Sequence, residues 1–196
     1  GTIGLSVYDG SHMIFSQNIP IGSLKLHDIL GNIQNSTGDF YTVVEEYLNT
    51  VLGHILIPFG DGHVNNLILT GSGVKLIACL CGYKPGEECL EISVQKLKGL
   101  FHKIRSMSQE RISIQFKISE EAAELLYSSL AISLRLLKFV SSDKIFFPRA
   151  ELWDTLMQHM LIPKSRNEYL EQVRTNAIFC AQKIAESYNC NKEHSE

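Results

Sequence analysis

The stretch Asn65-Asn66-Leu67-Ile68-Leu69-Thr70-Gly71-Ser72-Gly73-Val74-Lys75-Leu76-Ile77-Ala78-Cys79-Leu80-Cys81 sets the expected architecture. It is an apolar run, a turn of small residues, and a second apolar run with helical spacing. Leu67, Ile68 and Leu69 have the branched, unbroken character of a strand buried on both faces. Gly71, Ser72 and Gly73 let the backbone turn sharply and approach a ligand closely. The segment after them reads as a helix of about ten residues, whose first-turn N–H groups point back at the mouth of the strand. That arrangement suits an anion or a nucleotide. The same residues equally suit a strand-to-helix turn that binds nothing, because glycine turns are common punctuation.

The 196 residues suit one large domain or two small ones. Hydrophobic residues make up 44% and charged residues 20%, enough for a proper core, so disorder is not expected. The formal charge of −3 gives no basic face and argues against nucleic acid as a partner. No apolar run reaches the ~18 to 20 uncharged residues of a membrane span, so no membrane partner is expected. The start lacks a basic region before an apolar one, as a signal peptide would have. There is no initiating Met and the first residues read as mid-strand, so the chain is expected to be a fragment.

The cysteines are Cys79, Cys81, Cys89, Cys180 and Cys190. The odd number and the tight Cys79-Leu80-Cys81 spacing fit reduced thiols in a cytoplasmic protein rather than a metal or redox site. The seven histidines are scattered with no HExxH-type pair, so no metal site built from this chain alone is expected.

Taken in order, residues 1–26 read as two or three strands. Ile3, Leu5 and Val7 alternate with Gly4 and Ser6, Tyr8-Asp9-Gly10-Ser11 makes a hairpin turn, and residues 12–19 return. Ser23-Leu24-Lys25-Leu26 extends the meander after the Pro20-Ile21-Gly22 break. The Gly1-Thr2 pair at the head of the first strand is either a phosphate contact or a chain terminus. Residues 28–39 are polar, a loop or a broken helix. Asp39 caps a helix over residues 40–56, and residues 57–64 form a surface connection. Residues 90–92 are a short strand, and Ser93 caps a helix to about residue 107. Ser119-Glu120-Glu121 opens the longest helix, to about residue 140, apolar almost all round and therefore mostly buried. Its cover is either this domain or a partner. A strand at residues 144–147, a helix at 150–160, a linker at Pro163-Lys164-Ser165 and a last helix at 169–188 complete the chain. The order is α/β, with a mixed sheet led by antiparallel strands and helices on both faces.

These segments, in this order, resemble the C-terminal lobe of the exopolyphosphatase/guanosine pentaphosphate phosphatase (Ppx/GppA) family, within the actin, sugar kinase and Hsp70 superfamily. Gly1-Thr2-Ile3-Gly4-Leu5 looks like the end of the family's D-x-G-G-G-S-x-E-L phosphate loop. Phe15 through Leu26 is similar to its second strand and S-x-P-x-G-x-x-R-L segment. Leu69-Thr70-Gly71-Ser72-Gly73 resembles its G-T-G-G-T turn. Met107-Ser108-Gln109-Glu110-Arg111 with Ile118 through Glu124 matches the run before its long helix, and Asp143 through Phe147 fits the strand after it. Ala185 through His194 looks like the lead-in to a helical HD-like domain. There are departures. Gly4 replaces Glu in the phosphate loop, Ala122 and Glu124 replace Arg and Asp, and Glu151, Trp153 and Thr155 replace Gly, Arg and Gly. Losing an Arg removes a bidentate clamp on phosphate.

The resemblance implies a ribonuclease H-like (actin-like ATPase) lobe over residues 1–162. Residues 163–196 would be a linker and extra C-terminal helix leading to an HD-like domain absent from the chain. It implies one wall of an interdomain site for Mg²⁺-dependent hydrolysis of polyphosphate or guanosine pentaphosphate, in a cytoplasmic protein. Phosphate-binding residues would be Gly1, Thr2, Gly71, Ser72 and Gly73. No catalytic or metal-binding residue would lie in this chain, since the base and the Mg²⁺ ligands belong to the family's N-terminal lobe. Homodimerisation of the full-length protein is left open. The alternative is a regulatory relative that binds phosphate or nucleotide without turnover; a small-metabolite kinase is a third reading.

Overall fold

The structure, a computed structural model, describes residues 1–10, 13–34, 40–53, 55, 64–84, 87–149 and 152–187. In chain order its elements are β1 (Ile3–Tyr8), β2 (Met13–Ile19), α1 (Ser23–Gln34), α2 (Phe40–Gly53), β3 (Leu67–Ile68), α3 (Ser72–Leu80), β4 (Cys89–Ser93), α4 (Val94–Arg105), α5 (Gln109–Phe116), α6 (Glu120–Leu136), β5 (Lys144–Pro148), α7 (Leu152–Leu161) and α8 (Pro163–Ser187). They fall into two compact units, one of Gly1 and Pro20–Ala150, the other of Thr2–Ile19 and Glu151–Glu196.

The first unit is organised around α6. Ser119 accepts a hydrogen bond from the Ala122 N–H at 3.2 Å, and Glu120 and Glu121 sit in the first turn, where the helix dipole favours carboxylates. From Ala123 onward the helix is buried on almost every side, and α1 to α5 all pack against it. Its cover is therefore this unit itself. Ser128, Ser129 and Ser133 are the buried polar residues on it, and Ser133 Oγ donates to the Ser129 carbonyl at 2.8 Å. Such small residues let neighbouring helices come close.

The sheet of this unit has the order β3-β5-β4 and is mixed: β3 runs parallel to β5 and β4 antiparallel. Ile145 and Phe147 of β5 point inward with Leu67 and Leu69. The expectation that Leu67-Ile68-Leu69 is buried on both faces is corrected: Ile68 is 62% exposed, so this strand covers the core on one side only.

In the second unit β1 and β2 form an antiparallel hairpin with Ile3 opposite Ile19 and an irregularity between Val7 and Tyr8. The Met13 N–H donates to Oδ1 of buried Asn176 at 3.2 Å, and the Cys180 thiol donates to the Met13 carbonyl at 3.2 Å, fixing α8 on β2. His159 of α7 stacks on Tyr169 of α8 with centroids 4.5 Å apart. Trp153, Met160 and Leu161 of α7 are 68%, 75% and 71% exposed.

Several expectations change. The hairpin does not lead the mixed sheet: among the described residues β1 and β2 pair only with each other. Ser23 through Leu26 is the first turn of α1, not a strand, and α1 continues through much of the segment read as loop. Leu24 and Leu26 mimic strand alternation, yet Leu24 is exposed while Leu26 is fully buried at the start of a helical face. The helix α5 was not foreseen, because only Ile112 on it is buried and eight residues carry little periodicity. Pro163-Lys164-Ser165 is not a linker but the opening of α8. Proline fits a first helical position, whose N–H has no intrahelical partner. Only Ile162 separates α7 from α8. Asp39 and most of residues 57–64 lie outside the described residues, as do Glu151 and Cys190. Cys79, Cys81, Cys89 and Cys180 are free thiols. No described helix is long and apolar enough to cross a membrane.

Candidate phosphate-binding turn

The β3–α3 turn is built as the sequence anticipates. The Leu69 N–H donates to the Phe146 carbonyl at 2.9 Å, carrying the chain one residue past β3 along β5. Gly71 then takes φ 118° and ψ 166°, a conformation closed to residues with a Cβ, and serves as N-cap of α3. The Lys75 N–H closes the first helical turn on the Gly71 carbonyl at 2.9 Å. Ser72, Gly73 and Val74 thus present first-turn N–H groups that have no intrahelical partner, and no side chain caps them. Gly71 and Ser72 are exposed. The first turn of α3 contains no acid, so the positive end of its dipole is uncompensated by its own side chains.

Gly73 has a second cause. A Cβ there would collide with Ser129 Oγ of α6. That hydroxyl donates to Ser23 Oγ at the start of α1, at 2.8 Å. Glycine is therefore what lets α3 lie on α6 beside the N-terminus of α1. A Cβ on Gly1 would reach the Gly22 Cα at 3.4 Å, so Gly1 lies against the residue that precedes Ser23. Two of the predicted elements, Gly1 and Gly71–Gly73, are thus brought to the same end of α1. Thr2 belongs to the other unit.

The far end of α3 is fixed by α4. Lys96 Nζ donates to the Cys81 carbonyl at 2.6 Å, a cation at a helix C-terminus where the dipole favours it. Burial pushes the Cys81 thiol pKa up, partly offset by the Lys96 charge. The helix is thus anchored at its C-terminus and by Gly73 on α6, with its opening turn exposed. Gly22, Ser23 and Ser129 were missed by sequence reasoning. The signal for Ser129 was its place beside Ser128 in a helix otherwise expected to be apolar.

Among the described residues no three His, Cys, Asp or Glu side chains gather to hold a metal ion.

No family model matches the sequence, and no curated protein matches it. Solved structures do. One is the Aquifex aeolicus member of the Ppx/GppA family, at 15% identity and a TM-score of 0.68, covering 84% of this chain and 54% of that one. The type II variant structure of the Aquifex aeolicus Ppx/GppA phosphatase gives 15% identity, a TM-score of 0.67 and coverages of 83% and 54%. An exopolyphosphatase from Cytophaga hutchinsonii gives 14% identity, a TM-score of 0.57 and coverages of 81% and 53%. The chain spans about half the length of these structures, and over that half it carries the fold seen in Ppx/GppA phosphatases.

Proposed function

We propose that this chain is one wall of an interdomain phosphate site in a Ppx/GppA-type phosphatase that hydrolyses polyphosphate or guanosine pentaphosphate. The observation that carries the reading is the exposed, acid-free opening turn of α3, entered through Gly71, with Gly1 at the neighbouring end of α1. The N–H groups of Ser72, Gly73 and Val74 donate to anionic phosphate oxygens, and the positive φ of Gly71 leaves no Cβ between backbone and ligand. Gly1, from the end of the phosphate loop, adds a backbone donor. In this reading residues 1–162 are the actin-like ATPase (ribonuclease H-like) lobe. Residues 163–196 lead to an HD-like domain. The reactive water, its base and the Mg²⁺ ligands belong to the other lobe, and the enzyme works in the cytoplasm. Residues 1–196 alone release no phosphate.

A binding relative without turnover is the second reading. It is favoured by Gly4, Ala122 and Trp153, uncharged where the family carries charge. Two measurements separate the readings. Tripolyphosphate is expected to shift the amide resonances of Ser72, Gly73 and Val74 saturably, and Gly71→Ala to abolish the effect. The full-length protein with Mg²⁺ is expected to release phosphate from polyphosphate or guanosine pentaphosphate. Binding without release from either substrate leaves only the second reading; no shift at the α3 turn overturns both.

A further inference from the structure

A separate cavity of about 290 Å³ lies where α1, α4, α5 and α6 meet. Its buried lining is mostly apolar: Ile104, Ile112 and Ala123 with one hydroxyl, Ser128, while Met107 adds a flexible thioether. Tyr127, stacked on Phe101 with centroids 5.3 Å apart, makes a firm wall. At the polar side stand His27, Ser108, Gln109 and Glu124. We propose that this cavity binds a small aliphatic primary amine.

The charge of the lining selects the ligand class. One carboxylate lines the cavity, and no lysine or arginine does. Phosphates and carboxylates therefore meet a like charge with no fixed cation to offset it. An ammonium finds the Glu124 carboxylate, the Ser108 hydroxyl and the Gln109 amide oxygen as acceptors for its three donors. The His27 Nε2 to Glu124 Oε2 distance of 3.7 Å is longer than a hydrogen bond, leaving the carboxylate with acceptor capacity. The openings of α5 and α6 adjoin the cavity, and their dipoles alone would favour an anion. Both are already compensated, by the caps Ser108 and Ser119 and by first-turn Glu110, Glu120 and Glu121. A short alkyl chain lies on Ile104, Ile112 and Met107 without stranding a polar group. The cavity shares no residue with the α3 turn, so the inference stands or falls independently of the phosphate reading.

The test is an amide NMR titration of the 196-residue chain with n-butylamine hydrochloride at neutral pH, with sodium butyrate and inorganic phosphate as controls. Saturable shifts are expected at Met107, Ile112 and Ala123 with the amine only, at millimolar affinity. Glu124→Gln, on a half-exposed side chain whose replacement leaves the core intact, is expected to weaken binding roughly tenfold. Ala123→Leu fills the floor and is expected to abolish it. Absence of a saturable shift, equal shifts with butyrate, or unchanged affinity in Glu124→Gln would overturn the proposal.

Discussion

The helices α3 to α6 begin in two ways. α4, α5 and α6 each open on a serine whose hydroxyl accepts a backbone N–H: Ser93 from Lys96, Ser108 from Arg111, Ser119 from Ala122. α3 opens on Gly71 at positive φ, with no side-chain cap and no first-turn acid. Each serine-capped start satisfies one of its first-turn donors from its own side chain. The glycine start leaves donors facing outward, which costs helix stability and is useful only if something else satisfies them. The contrast is between starts closed by a serine side chain and one start left open at the backbone.

The sharpest way to break this contrast is at Gly73, where packing rather than conformation demands glycine. Gly73→Ala is expected to destabilise the chain by about 2 kcal/mol, since the new methyl collides with Ser129 Oγ. In a Ser129→Ala background most of that loss should disappear, because Oγ is gone while the Ser129 Cβ, at 3.3 Å, still crowds the new methyl and alanine exceeds glycine in a helix by about 0.5–1 kcal/mol. Urea unfolding of the four-member cycle measures this. Additive losses would mean that the α3–α6 contact is not what fixes the turn.

A smaller effect sharpens the same contrast. Ser119→Ala removes a working cap and is expected to cost about 1 kcal/mol. Ser72→Ala, beside a cap that uses no side chain, should stay within about 0.5 kcal/mol in the same melts. Equal losses would show that Ser72 caps α3 after all and that its N–H groups are not on offer.

The smallest effect belongs to the sheet. Lys144 Nζ lies 2.7 Å from Glu91 Oε1, and that hydrogen bond and charge raise the lysine pKa. A raised lysine pKa means that its contribution is complete below the ordinary lysine value and is lost as pH rises through the folded one. Glu91→Gln should therefore lower the melting temperature slightly at neutral pH. The difference from wild type should vanish in strongly alkaline solution. On an exposed strand pair the effect is small at any pH. A difference that persists at high pH would assign it to packing instead.

The strand–turn–helix and the helix starts at Ser93 and Ser119 were legible because each is local: a few residues of the right type at fixed spacing suffice. The hydroxyl contact of Ser23 with Ser129 was not, since it joins segments far apart in the chain and neither serine marks its partner. α1 was obscured because Leu24 and Leu26 satisfy strand alternation as well as helix entry. α5 was obscured because one buried isoleucine sets no period. Pro163 read as a breaker because proline before a helix and proline between helices look alike until the preceding helix is seen to end one residue earlier. At the candidate site, Gly71 was readable from its type, whereas Gly73 gained its meaning only from the helix it touches.

That contact also bears on how the sequence can drift. Gly73 and Ser129 share one small space, so Gly73 cannot gain a methyl unless Ser129 gives up its hydroxyl. In a collection of descendants these two positions would change together or not at all. Their pairing would then trace the placement of α3 on α6 even where overall identity has faded.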